Sequence, residues 1–286
     1  METVGEIISI SHDGYGHMWF PFSIRQDERC TIINSEDYRE NIDLTKLIQA
    51  MFATNNHSSE IGTYHITNQL KNHEGNKETQ CSIEFKTNRY EYKITRIFYQ
   101  NYSFEAKLER TCSTVIYHGK DAIRVLQKMT LPVILSPERS ISRSVIMKPY
   151  DEYTRKQMLN LVNIWSKMIG LESFRYTLNS SGEWLFYDDS RKRYHTCDST
   201  TPSLVHLLAN ISQAALRKRK FGYCPQIICT INIEDLNEFE IITILDLIIS
   251  ICKEERLQFL VVTNSIAEIK SDNVLNTPRI SIYNSR

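Results

Sequence analysis

The sequence predicts an α/β fold in which a sheet with helices on both faces is joined to an antiparallel β lobe. Two patterns predict it. In the last third of the chain, helical segments alternate with the runs 226–231 (QIICTI) and 258–263 (QFLVVT), which are almost wholly apolar. Near-continuous apolar strands are the mark of a parallel sheet buried on both faces, and the intervening helices supply the crossovers that such a sheet needs. In the first half, 81–85 (CSIEF) and 90–99 (YEYKITRIFY) alternate apolar and polar residues on either side of Thr87-Asn88-Arg89. A period of two around a short polar turn predicts a hairpin with one face on the core.

Taken in order, residues 3–10 read as a strand, HDGYGH (12–17) as a turn with two glycines, and MWFPFSI (18–24) as the returning strand. Residues 29–34 (RCTIIN) form a buried strand. A polar stretch, 35–43, precedes a helix over 44–52, where Leu44, Leu47, Ile48, Met51 and Phe52 have helical spacing and Asp43 is placed to cap. Residues 53–80 are polar and read as a loop. After the hairpin, 103–118 add a further strand and 121–129 a short helix, and 131–135 (LPVIL) is strand-like. A helix over 151–169 carries the stripe Met158, Leu161, Val162, Trp165 and Met168. Residues 174–177 and 184–187 flank Ser180-Ser181-Gly182 as another hairpin. Thr201-Pro202 opens a helix through Leu216, with proline in its first turn. A last helix covers 238–256, and 281–283 closes the sheet.

Composition narrows the function classes. The 286 residues carry 34 basic and 34 acidic side chains, so a globally electrostatic grip on nucleic acid is not indicated, although a local patch is not excluded by that balance. Seven scattered cysteines, odd in number and without a CxxC pair, read as reduced thiols of a cytoplasmic protein. The N-terminus lacks the basic and apolar regions of a signal peptide. The most apolar segment, 241–252, is too short to span a bilayer and contains Asp246, so it reads as a buried helix and no membrane partner is expected.

The order of elements resembles the ATPase heads of the OLD, RecF and SMC families. Such a head opens with a hairpin, a strand, a phosphate loop and a helix, and the counterparts here are ISISHDGYGHMWFPFSI, CTIIN, SEDYRENID and LTKLIQAMF. CSIEFKTNRYEYKITRIF is similar to the family's hairpin lobe. LPVILSPERSISR resembles the segment before the second lobe of OLD-like proteins without a coiled coil, and LVNIWSKMIGLESFRYTLNSSGEWLFYDD their helix and hairpin. STTPSLVHLLANISQAAL resembles the signature region, CPQIICTINIEDL the Walker B strand, and LQFLVVTNSIAEI the switch strand. The resemblance implies a P-loop-NTPase-like, ABC-class head over 1–286. Within it, 1–130 would be an N-terminal lobe with the phosphate-loop region, and 131–286 a C-terminal lobe with the signature, Walker B and switch regions.

The residues that the chemistry requires are replaced at each of these places. A phosphate loop needs glycines that expose backbone N–H groups, a lysine for the β and γ phosphates, and a Ser or Thr on Mg²⁺. The matching stretch, Asn34 to Asp43 (NSEDYRENID), has no glycine or lysine and carries Glu36, Asp37, Glu40 and Asp43, which repel a triphosphate. The Walker B positions are Asn232 and Ile233, where Mg²⁺ and water activation call for acids. Glu234 and Asp235 lie next to them and would serve as the acids only in a shifted register. Ser199 to Ser203 keeps hydroxyls without the signature glycines, and reads better as a helix cap. Asn264 stands where the switch histidine belongs.

Other candidates are weaker. His12 and His17 bracket a turn but lack further ligands, so a surface turn is the better reading than a metal site. His195, Cys197 and Asp198 read as a solvated loop rather than a nucleophilic set. The basic runs Arg191-Lys192-Arg193 and Arg217-Lys218-Arg219-Lys220 adjoin Tyr194, Phe221 and Tyr223 and could meet nucleic-acid phosphates, or simply solvate and complement a helix C-terminus. OLD-type heads are often followed by a Toprim nuclease, and no acidic cluster of that kind follows here.

The expectation is therefore a pseudo-ATPase: a head without catalytic residues or ATP cofactor, acting as a binding or scaffolding subunit. Its partner would be an active ATPase, a nuclease, a second copy or nucleic acid. The resemblance to OLD-like heads implies a setting in phage (antiviral) defence or DNA maintenance. The alternatives are a divergent active ATPase using Glu234 or Asp235 with Mg²⁺, and a nucleic-acid-binding module using 191–193 and 217–220.

Overall fold

The structure, a computed structural model, describes residues 2–13, 22–25, 30–35, 38–54, 78–99, 104–135, 152–168, 175–179, 184–188, 192–196, 208, 211–212, 214–216, 218–220, 222, 226–231, 238–264 and 280–284. Fifteen strands are defined among them: β1 (Glu2–His12), β2 (Phe22–Arg25), β3 (Cys30–Ser35), β4 (Glu78–Thr87), β5 (Glu91–Tyr99), β6 (Phe104–Arg110), β7 (Ile116–His118), β8 (Met129–Thr130), β9 (Val133–Leu135), β10 (Tyr176–Leu178), β11 (Trp184–Asp188), β12 (Arg193–Thr196), β13 (Ile227–Ile231), β14 (Phe259–Asn264) and β15 (Ile280–Asn284). The helices are α1 (Tyr38–Phe52), α2 (Gly119–Gln127), α3 (Glu152–Met168) and α4 (Glu238–Glu255). Helical residues within 208–220 precede β13.

The apolar runs form a five-stranded sheet in the order β15-β3-β14-β13-β9, every neighbouring pair parallel. Because side chains alternate along a strand, each strand feeds two layers. Ile32, Ile227, Cys229, Phe259 and Val261 pack with Trp165 of α3, with Leu208 and Ile211, and with the apolar residues of α4. Ile33, Ile228, Leu260 and Val262 face the other way, onto Leu44, Leu47, Ile48 and Met51 of α1. Ile244, Leu245, Leu247, Ile248, Ile249, Ile251 and Cys252 of α4 are all buried, which explains why its sequence is apolar on almost every side. Among the described residues no helix is long and apolar enough to cross a membrane.

The alternating segments build the second sheet, in the order β2-β1-β4-β5-β6-β7, with β8 pairing β1. Its inward residues, among them Ile7, Ile83, Phe85, Ile94, Phe98 and Leu108, pack on α1, which is thus held between the two sheets. Two buried polar side chains tie the layers of this core together, one sheet to sheet and one sheet to helix. Gln226, immediately before β13, donates its backbone N–H to the Val4 carbonyl at 2.9 Å and accepts the Ile7 N–H on Oε1 at 2.7 Å. Arg96 of β5 is wholly buried and donates from Nε to the carbonyl of Met51 at 3.1 Å and from Nη2 to that of Ala53. The last turn of α1 contains no basic residue of its own. Arg96 therefore meets the orphan carbonyls and negative end of that helix from another element. Burial lowers its pKa to about 10, so it stays charged at neutral pH.

Four expectations are corrected. The helix placed at 44–52 begins at Tyr38, so Asp43 lies inside α1 rather than at its cap. The first turns are polar and carry no apolar period, which hid them. Residues 103–118 make two strands, β6 and β7, separated by a turn in which Ser113 donates its N–H to the Arg110 carbonyl and Arg110 donates its own to the Val115 carbonyl. His195 lies in β12, opposite Phe186, instead of on a loop, because a third strand extends the β10–β11 hairpin. His12 ends β1 as a buried residue rather than opening a surface turn; its register partners are Cys81 and Phe22.

Candidate functional site

In an open parallel sheet, ligands bind beyond the carboxyl ends of the strands. Here the ends of β3, β13 and β14 come together at that edge. The parallel registers pair Thr263 with Asn34, Asn264 with Ser35, and Ile231 with Thr263. The strands that lead into the phosphate-loop and Walker B counterparts, and the strand that ends in the switch counterpart, thus end side by side at one edge of the sheet. Asn232, Glu234 and Asp235 follow β13 directly and lie outside the described residues, as do Ser199 to Ser203, His17, Cys197 and Asp198.

The residue types limit what this edge can do. Glu36 and Asp37 separate the end of β3 at Ser35 from the start of α1 at Tyr38. A phosphate loop is an excursion in which several successive N–H groups turn toward the phosphates and a lysine reaches back. On the neighbouring strand, Thr263 is fully buried, and its hydroxyl has no hydrogen-bond partner among the described residues. The segment Asn34 to Asp43 at this edge contains no glycine and no lysine.

The two basic runs lie on different elements. Lys192 is an exposed turn residue with φ 50°, and Arg193 is exposed at the start of β12, paired in register with Asp188. Arg191 and Arg217 lie outside the described residues. Lys218 donates to the carbonyl of Arg256, just past the C-terminus of α4. Arg219 grips the carboxylate of Glu255, with Nε 3.0 Å from Oε2 and Nη2 on Oε1. Lys220 is exposed. Two of the four residues at 217–220 therefore fasten one helix C-terminus to another, where cations also meet the negative ends of both helices. The sequence could not show this, because the partners lie 36 and 38 residues away.

Arg96 was not among the sequence-derived candidates. A charged residue in an alternating strand reads as solvent-facing, and its place in the period-two series Tyr92, Ile94, Arg96, Phe98 was the one available signal.

No protein-family model matches the sequence, and no curated protein matches it. Solved structures do. The SMC head domain from Thermotoga maritima superposes with a TM-score of 0.50 at 13% identity, covering 91% of this chain and 89% of that one. The recombination mediator protein RecF of the RecFOR pathway, with ATP, gives a TM-score of 0.52 at 11% identity, over 93% of this chain and 95% of that one. RecF-ATPrS gives 0.50 at 11%, over 95% of each. Identities this low establish shared architecture: the chain has the P-loop-NTPase-like, ABC-class fold of SMC and RecF heads.

Proposed function

We propose that this chain is a catalytically inert ATPase-like head that serves as a binding or scaffolding subunit of a larger complex. The observation that carries this reading is the segment Asn34 to Asp43, which has no glycine or lysine and begins at the end of β3, beside the ends of β13 and β14. At the same sheet edge the switch position is Asn264, and the Walker B positions are Asn232 and Ile233. A core that keeps α1 clamped between two sheets, while the groups for hydrolysis are replaced, fits a surface retained for contact.

On this reading the whole of 1–286 acts as one head. The segment 1–130 contributes the antiparallel sheet, β3 and α1, and 131–286 the remaining parallel strands with their covering helices. The head needs neither ATP nor Mg²⁺, works in the cytoplasm, and pairs with a protein: an active ATPase, a nuclease or its own copy. The likeness to SMC and RecF heads, one of them a recombination mediator, favours DNA maintenance as the setting, and phage defence is what the resemblance to OLD-like heads implies. Nucleic-acid binding through 217–220 is disfavoured by the engagement of Lys218 and Arg219 with the end of α4.

Isothermal titration with Mg²⁺-ATP tests the reading. The expected result is no saturable heat. Micromolar binding that Asp235→Ala abolishes would establish the divergent-ATPase alternative instead. Capture from the native host followed by mass spectrometry then identifies the partner, and recovery of no protein in stoichiometric amount counts against a scaffolding role.

A further inference from the structure

A cleft of about 230 Å³ lies at the opposite end of the parallel sheet from the nucleotide edge. Gln258, the residue before β14, lines it with Thr3 and Glu6 of β1, Lys86 of β4, Lys218 and Arg256. β14 separates it from Asn264 by roughly 20 Å, at about 3.3 Å per residue. Three independent observations point to a ligand there.

The first is charge. Lys86, Lys218 and Arg256 face a single carboxylate, Glu6, among these lining residues. Lys86 also sits 3.5 Å from Glu91, but both side chains are well exposed, and a pair screened by water yields readily to a more highly charged anion. The second is the backbone. Arg256 has φ 52°, in the left-handed region where glycine is the usual residue after a helix. The other helix end at the cleft follows that rule with Gly222, at φ 76°. A guanidinium thus occupies a position that favours glycine, and backbone strain of this kind concentrates at ligand sites. The third is Thr3, which is 1% exposed and whose Oγ1 has no hydrogen-bond partner among the described residues, although its N–H and carbonyl are both bonded to Asn88. A buried hydroxyl is costly until something bonds to it.

Two helix C-termini meet at this cleft, and their partial negative charge alone calls for cations. That need is already met in part. Gly222 donates its N–H to the Lys218 carbonyl at 2.7 Å, and the Lys218 ammonium donates to the Arg256 carbonyl. The Arg256 side chain remains in excess of it, while the Lys86 ammonium lies opposite Glu6 and Glu91 in the sheet register and is paired with Glu91 at the surface.

We propose that this cleft binds a phosphate dianion, either free phosphate or the monoester of a small metabolite, held by Arg256 and Lys86 with the Thr3 hydroxyl as a further donor. The planar guanidinium matches two phosphate oxygens at once. The volume suits one phosphate and a small substituent, below the range of pockets that enclose a whole nucleotide. The site is separate from the proposed scaffolding role, and either can fail alone.

The test titrates the full chain with inorganic phosphate and with ribose 5-phosphate at constant ionic strength, beside a thymidine oligonucleotide without terminal phosphate. Arg256→Gly removes the guanidinium at a φ that glycine prefers, so it should melt at or above the wild-type temperature. It is expected to weaken phosphate or ribose 5-phosphate binding about tenfold. Lys86→Gln is expected to weaken it several-fold, and Lys93→Gln, outside the lining, to leave it unchanged. Absence of saturable binding by either phosphate, or wild-type binding by Arg256→Gly, overturns the proposal. So does tighter binding of the oligonucleotide that the same variants weaken, which would make the cleft a nucleic-acid contact.

Discussion

Replacing Arg96 by methionine removes a side chain that hydrogen-bonds β5 to the end of α1 while keeping most of its volume. Two carbonyls, those of Met51 and Ala53, then lose a charged donor inside a core where Arg96, Met51 and Ile94 are fully buried. Each buried acceptor left unmet costs about 1–3 kcal/mol. Methionine also relieves the burial of a charge, the effect that holds the Arg96 pKa down to about 10, and so returns part of that cost. The expected net loss is about 2–3 kcal/mol for Arg96→Met. Arg96→Ala adds a cavity, for a total of about 3–5 kcal/mol. Urea unfolding followed by circular dichroism reads both, and in a thermal melt the methionine variant should fall by roughly 3–5 °C. A methionine variant within about 0.5 kcal/mol of wild type would refute the claim that Arg96 satisfies the end of α1.

Three further outcomes are expected. Trp165→Ala, at a side chain 1% exposed between α3 and the parallel sheet, should cost about 3–5 kcal/mol in the same denaturant assay. Arg219→Ala should cost only about 0.5–1 kcal/mol, because Arg219 is half-exposed, and the loss should shrink in high salt. In native protein a maleimide should label Cys112, which is exposed, and spare Cys30, Cys81, Cys229 and Cys252 until denaturant is added. Burial pushes the Cys229 thiol up to about 12 and that of Cys81 well above its ordinary value, so both remain protonated and unreactive. Mass spectrometry of labelled peptides checks this.

The sequence was most informative where burial leaves a periodic trace. QIICTI and QFLVVT became adjacent parallel strands, CSIEF and YEYKITRIFY became the β4–β5 hairpin, and RCTIIN joined the parallel sheet from far upstream. It was least informative where a segment is polar but ordered. Tyr38 to Asp43 is helical without an apolar stripe, and Arg193 to Thr196 is a strand because β11 offers it an edge. At the nucleotide edge, the missing glycines and lysine could be read directly, whereas the side-by-side ends of β3, β13 and β14 needed the strand registers. The cleft around Arg256 left no sequence signal, since its lining comes from segments far apart in the chain. The roles of Lys218 and Arg219 were equally hidden, because a basic run at a helix end looks the same whether it meets phosphate or the next helix.

The central claim, that this head binds no nucleotide, is tested most directly by its melting temperature in Mg²⁺-ATP. A ligand present at 100 times its Kd stabilises the folded state by about 2.7 kcal/mol. A head with a Kd of about 10 μM would therefore melt roughly 5 °C or more higher in about 1 mM Mg²⁺-ATP. The account predicts the same melting temperature with Mg²⁺-ATP as with an equal concentration of Mg²⁺ and an inert salt. A rise of several degrees that saturates with ATP and disappears in Asp235→Ala would contradict it.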